Sequence, residues 1–521
     1  MKIKVKKFVS CLFALSPLLF LSSCNLFIGY QTSSAEPIEL GEYAGQNINL
    51  KMIDQANEMV NLDYVGDQNL LVLPVCFKDY DLKRLNLDHD QVISNINHLF
   101  FGSSEETGWE SVSSFYKKSS YNHLNIQGEV SDIITLDYNL IEAISLRNSS
   151  SSYDPTYTFI NEAYSKYLEK NPDKTKHFDK NNDGYVDGIW LVYLNPYFDE
   201  TTKKQYINWD KDFAKTSVTN NANSVLWAYT YWNYDNKPNV EKPTPFAYSW
   251  ASYSFIFDGK YKDKDENYLV DAHTFIHETG HMLGLDDYYN YDSDQTNISS
   301  PLGATDMMDN NVGDHGPYSK YLMEWISPKL VKNEGTYHLN SFEEDGSCLL
   351  VPANKLTYNN SPFDEYLLIE YYTPTNLNYL DSQSPYDNNI IMPTECGVRI
   401  YHVDSRLVKY TYNRFFGEYS YDGYTSSYIN TSNAYCRIGA SNTPSYSDTD
   451  KMLITLLSSK MNGDKKYYYQ DRDEGMAMNE DLYQTGDEFN DFTFNTGDKL
   501  PYKVTFENQS DDGIDIVFTN N

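Results

Sequence analysis

The run His277-Glu278-Thr279-Gly280-His281-Met282-Leu283-Gly284-Leu285-Asp286-Asp287 constrains this chain more than any other, because it demands a helix followed at once by a reversal. Residues four apart on a helix are offset by roughly 40° around the axis, so the His277 and His281 imidazoles project from one face and can hold one ion. No proline interrupts Val270 to Leu283, and Phe275, Ile276, Met282 and Leu283 can pack behind the ion-facing side. Gly284 permits the left-handed backbone that ends a helix, so the chain can double back and carry Asp287 toward the same ion. Three protein ligands with one open position make a catalytic zinc site, whereas a structural site closes with four. Glu278 follows the first histidine, where its carboxylate can hydrogen-bond a water at the open position and take its proton as that water attacks a carbonyl. The expectation is therefore Zn2+ on His277, His281 and Asp287, with Glu278 as general base and a peptide bond as the target. His273, one turn earlier, sits too far along the helix for a fourth ligand and reads as a flanking residue behind the ligands or at the surface.

The N-terminus predicts where such chemistry takes place. Met1 to Lys7 is basic, Phe8 to Leu21 is almost wholly apolar, and Leu21-Ser22-Ser23-Cys24 has the form of a lipobox. Residues 1–23 are expected to be a lipoprotein signal peptide and Cys24 the lipid-bearing residue, which places the chain on the extracellular face of a bacterial membrane. No later stretch is apolar for long enough to span a bilayer, so the membrane is met through the lipid alone. A net charge of −33 excludes nucleic acid, since phosphate backbones would be repelled. Extracellular proteins or peptides are the expected partners.

Residues 24–60 are polar and weakly patterned, which predicts a spacer; it carries no cysteine after Cys24 that could cap a zinc ion. Leu70 to Phe77 and Ile189 to Tyr193 read as buried strands, with a helix over Asp154 to Leu168 between them. Strands alternating with helices predict an α/β-type sheet with the metal helix packed across it, spanning 61–332. Leu367 to Tyr371, Gly397 to Tyr401 and Ile514 to Phe518 are short strands between turn residues, so 333–521 reads as an antiparallel β domain and the whole as α+β. Cys11 leaves with the signal, and Cys76, Cys348, Cys396 and Cys436 are too scattered for a disulfide framework, with room for one bridge in the C-terminal half.

Three further motifs carry candidate residues. Asp179 to Asp187 sets oxygen donors at alternate positions with Gly184 sixth, making Asp179, Asn181, Asp183 and Asp187 candidate Ca2+ ligands. The twelfth place is Trp190 rather than glutamate, so a turn capped by its own side chains fits equally well. Met308, in Gly303-Ala304-Thr305-Asp306-Met307-Met308-Asp309, is placed downstream of the helix to form an apolar floor beneath the ion. His315 and Tyr318 follow, and either could donate to a developing oxyanion.

Together these pieces resemble the immune inhibitor A family of secreted bacterial metallopeptidases over most of residues 65 to 410. Besides His277 to Asp287 and the Asp179 loop, Trp109 to Tyr121 resembles the family's S-V-x-x-[FY]-Y-x-x-x-S-Y segment and Asp306-Met307-Met308 its D-x-M turn. Lys320 to Pro328 is similar to its K-x-x-x-G-W-x-x-P, and Val398 to Asp404 to its C-terminal strand. The resemblance implies a metzincin-like catalytic domain followed by a β domain, endoproteolysis of proteins, zinc on His277, His281 and Asp287, Glu278 as base and Met308 as the turn methionine. Two positions depart from the family. Asp286 replaces its proline, bringing a second carboxylate within reach of the ion, and Glu324 replaces its glycine before Trp325. Two other classes stay open: a non-catalytic adhesin or glycan-binding lipoprotein on the same fold, and a zinc hydrolase acting on a non-peptide bond.

Overall fold

The computed structural model describes residues 48–147, 154–262, 267–292, 300–358, 360–383, 391–413, 418–425, 429–430, 432–447, 450–460 and 475–521. The predicted signal peptide, Cys24 and the predicted spacer up to residue 47 lie outside the described residues.

Residues 48–60 are not spacer. Asn49 caps a helix, α1 (Leu50–Asn57), by accepting from the Met52 N–H at 3.1 Å, and Leu50, Ile53 and Ala56 share its buried face. Three apolar residues at helical spacing suffice to dock an otherwise polar segment, and average polarity hid them.

The next apolar run forms β1 (Gly66–Phe77), the centre of a sheet. It pairs in parallel with β2 (Leu124–Val130), β3 (Ile134–Leu136) and β4 (Ile189–Tyr193). The sheet continues through β5 (Tyr229–Trp232) and β6 (Ala247–Ser252) in the order β2-β1-β4-β6-β5, with β6 parallel to β4 and β5 closing the edge antiparallel. Strand side chains alternate between faces, and both faces are covered. Leu71, Leu73, Val75 and Phe77 meet Phe159, Ile160 and Ala163 of the helix Thr156–Lys170, whereas Leu70, Val72 and Cys76 join the core that holds Phe275 and Ile276 of the helix His273–Met282.

The C-terminal part adds three sheets. β7 (Lys329–Leu330), β9 (Cys348–Pro352), β10 (Glu365–Tyr372), β11 (Gly397–Asp404) and β15 (Ile454–Leu457) form one, ordered β15-β11-β10-β9-β7. β12 (Leu407–Asn413) lies between β13 (Glu418–Thr425) and β14 (Ala434–Arg437), and β8 (Gly335–Asn340) pairs with Gly513–Asn520 in the last. The chain is thus mixed α and β with several sheets. Pairing there is antiparallel as expected except between β7 and β9, which run parallel.

The expected boundary near Lys332 separates neither sheets nor cores, since β7 on its N-terminal side belongs to the sheet of β9, β10 and β11. One apolar cluster runs from Ile48 through Phe275, Met308 and Tyr318 to Tyr366, Leu456 and Ala477, so material from both sides of residue 332 packs around the helix His273–Met282. The bridge allowed for in the C-terminal half is not formed: Cys348 and Cys436 are buried and free, Cys396 is partly buried and free, and Cys76 packs as a buried thiol. Among the described residues no helix is long and apolar enough to cross a membrane.

Candidate metal centre

The helix α2 (His273–Met282) is buried along its whole length. Its N-terminus is fixed by His273, whose Nδ1 lies 2.6 Å from Asp271 Oδ1 and whose Nε2 lies 3.2 Å from Asp381 Oδ2. Trp109 stacks on the same imidazole at 4.1 Å between centroids. Burial disfavours a charge there, but Asp381 and Asp271 outweigh it and hold His273 at about 10. This residue is a charged staple behind the ligands, not a surface group.

His277 and His281 fall on one face with their Nε2 atoms 3.1 Å apart. Each Nδ1–H donates to a backbone carbonyl at 2.8 Å, His277 to Met307 and His281 to Leu285. Those bonds fix the tautomers and turn both Nε2 lone pairs toward the same point. Gly284 ends the helix at φ +99, where a Cβ would come within 2.9 Å of Leu50. The reversal brings Asp287 Oδ1 to 2.9 Å from His277 Nε2 and 3.2 Å from His281 Nε2.

This donor set fits zinc. Two nitrogen lone pairs and a carboxylate crowded within 3.2 Å of one another require positive charge among them. Donors bound at about 2.0–2.1 Å to a tetrahedral ion stand about 3.3 Å apart, close to the separations seen. Among the described residues this is the only group of three histidine, cysteine or acidic side chains gathered at such distances. Burial opposes ionisation of His281, yet Asp287 beside it keeps the imidazole up at about 9, and His281 in turn holds Asp287 well below the usual carboxylate range against its own burial.

Met308 lies on α3 (Met307–Asn310), which Asp306 caps by accepting from the Met308 N–H at 2.8 Å. A Cβ on Gly280 would sit 2.7 Å from Met308 Sδ, so the thioether touches the helix at the glycine between the two histidines. Glu278 Oε2 lies 3.0 Å from Thr230 Oγ1 on β5. Burial pushes its carboxyl up, opposed by His281 and His277. All four side chains are buried, Asp287 and His281 at 0% and 1% exposure and His277 and Glu278 at 5% and 7%.

Other sequence-predicted residues fare differently. Asp286 does not compete for the ion, because its Oδ2 is 2.8 Å from Arg437 Nη2 on β14. His315 is enclosed by Phe115, Tyr116 and Trp325, with neither ring nitrogen hydrogen-bonded, and burial drives it down to about 3. Tyr318 is fully buried against Tyr288. Both side chains are thus enclosed by the core, His315 at 1% and Tyr318 at 0% exposure. In the loop, Asp179 accepts from the Asp183 and Gly184 N–H groups, Asp183 from Tyr185, and Asp187 from Lys180 at 2.8 Å. Asn181 Oδ1 accepts from Asp183 N–H at 3.0 Å. These oxygens cap their own turn, an arrangement such a loop makes with or without a bound Ca2+.

One residue at the centre escaped the sequence. Tyr291 donates its hydroxyl to Asp287 Oδ2. A tyrosine four positions past a ligand, among 48 in the chain, carries no signal that would single it out.

Compared with known proteins, the chain matches no family model and no curated protein.

Proposed function

We propose that this chain is a zinc-dependent endopeptidase of the immune inhibitor A type, with a metzincin-like catalytic unit. It is anchored by lipid at Cys24 on the outer face of a bacterial membrane and hydrolyses peptide bonds of extracellular proteins. The observation that carries the reading is the convergence of His277 Nε2, His281 Nε2 and Asp287 Oδ1, with separations of 2.9 to 3.2 Å, beside the buried carboxylate of Glu278. The family assignment and the location rest on the sequence motifs.

When bound, zinc lowers the pKa of a coordinated water and polarises a carbonyl oxygen. His277, His281 and Asp287 hold the ion, each imidazole oriented by its carbonyl acceptor. Glu278 takes the proton from the attacking water and delivers it to the departing amine. Burial raises the proton affinity of Glu278 toward what that relay needs, since a base that is too acidic neither accepts nor keeps the proton long enough to pass it on. Thr230 fixes one carboxylate oxygen, leaving the other for the water.

Digestion of casein or gelatin by the purified chain, with and without a chelator, tests the reading. Cleavage that stops on chelation and returns with zinc supports it. Metal-bound protein that cleaves neither substrate would favour the non-catalytic class, and turnover confined to ester or amide analogues would favour a non-peptide hydrolase.

A further inference from the structure

We infer that Tyr291 is a positioning residue of the metal centre, occupying the outer oxygen of Asp287 so that this ligand gives the ion one oxygen only. The inference rests on the zinc-site reading above and concerns how that site keeps a vertex open.

A carboxylate can bind a cation through one oxygen or two. The inner oxygen of Asp287, Oδ1, faces both imidazoles at 2.9 and 3.2 Å, while the outer one, Oδ2, accepts the Tyr291 hydroxyl. Asp287 is 0% exposed, so water has no ready access to replace the phenol. Loss of that donor removes a restraint that keeps the outer oxygen off the ion, and swinging it onto the ion would fill the position a water needs. A phenol suits the task because it is a donor with no charge of its own, and leaves the positive charge to the ion.

The tyrosine is itself held from the C-terminal part of the chain. Its backbone N–H donates to Thr443 Oγ1 at 3.1 Å, and its ring meets Tyr446 edge-on at 5.9 Å between centroids. Tyr289 also packs edge-on with it, at 5.1 Å between centroids. Tyr291 as a whole is partly buried.

The test replaces Tyr291 by phenylalanine in the full chain, preserving the ring contacts and removing only the hydroxyl. Cobalt(II) alone serves as the spectroscopic probe, and zinc alone is titrated against a chelator. The parent should give the intense visible bands of a four-coordinate ion. Tyr291→Phe should give weaker bands of higher coordination and a zinc affinity altered by about 10-fold or more, the usual effect of losing a partner behind a ligand. Equal melting temperatures of the metal-free proteins establish that the fold is unchanged. If Tyr291→Phe does not fold, Thr443→Val, which loosens the tyrosine from its anchor, should move the cobalt bands in the same direction. Cobalt spectra and zinc affinities indistinguishable from the parent's in either folded variant overturn the inference. A parent that binds cobalt but cleaves no protein removes the peptidase reading and leaves this one to its own spectrum; a parent that takes up no cobalt overturns both.

Discussion

Arg437 on β14 lies 2.8 Å from Asp286, the residue next to the third ligand, and both side chains are buried. The two are far apart in sequence, so a strand from the C-terminal part secures the turn that delivers Asp287. Asn57 of α1 fixes that strand in turn: its side-chain amide donates to Tyr435 O and its Oδ1 accepts from Tyr435 N–H, both at 2.9 Å. Asp286, next to the third ligand, thus has a buried partner of opposite charge in this chain.

Removing one member of this pair leaves an uncompensated buried charge, which costs about 3–5 kcal/mol. Arg437→Met should destabilise the metal-free protein by that order in denaturant unfolding. Adding Asp286→Asn should recover a large part of the loss, because the stranded carboxylate is gone. A double variant no more stable than Arg437→Met would contradict the pairing.

Gly280 and Met308 should be coupled. An alanine at 280 would put its Cβ 2.7 Å from Met308 Sδ and 3.3 Å from Tyr116 Oη, which is itself tied to Ile276 O at 2.7 Å. Overpacking of this kind costs about 1–3 kcal/mol. Met308→Ala should therefore cost less in the Gly280→Ala background than in the parent, as read by unfolding of all four proteins. Strict additivity would place the methionine away from the helix.

The core and its main sheet were legible because their signals are local. A continuous apolar run such as Leu70 to Phe77 states its own buried strand, and the four-residue spacing of His277 and His281 states its own helix face. Gly284 and Asp287 extend that local logic by six residues. What joins distant parts was not legible: the His273–Asp381 contact, the Arg437–Asp286 pair and the anchoring of Tyr291 by Thr443 each link residues more than a hundred positions apart. The same limit explains the boundary drawn at Lys332, since composition changes there while the packed core does not. It explains His315 as well, whose polar side chain suggested a donor facing substrate and whose aromatic surroundings come from two separate segments.

Acid should act on stability through His315. Its ordinary value of 6.5 falls to about 3 in the folded chain because burial disfavours the imidazolium. Between those values the unfolded chain binds a proton that the folded chain refuses, so falling pH favours unfolding by about 1.4 kcal/mol per pH unit from this group alone. The contribution is complete above 6.5 and is lost as pH drops toward 3. His315→Phe, which suits the aromatic enclosure, removes this dependence. The stability of the variant relative to the parent should rise steadily as the solution is acidified below neutrality, and parallel pH profiles would show that the imidazole is not held neutral.

The most direct measurement pairs metal content with turnover in Glu278→Gln. Glutamine keeps the shape of the side chain and the contact with Thr230 but cannot accept a proton, while His277, His281 and Asp287 remain as they are. The account predicts a protein that retains the parent's zinc and loses at least about 10²–10⁴-fold in protein cleavage. Cleavage at the parent's rate by zinc-loaded Glu278→Gln would contradict it.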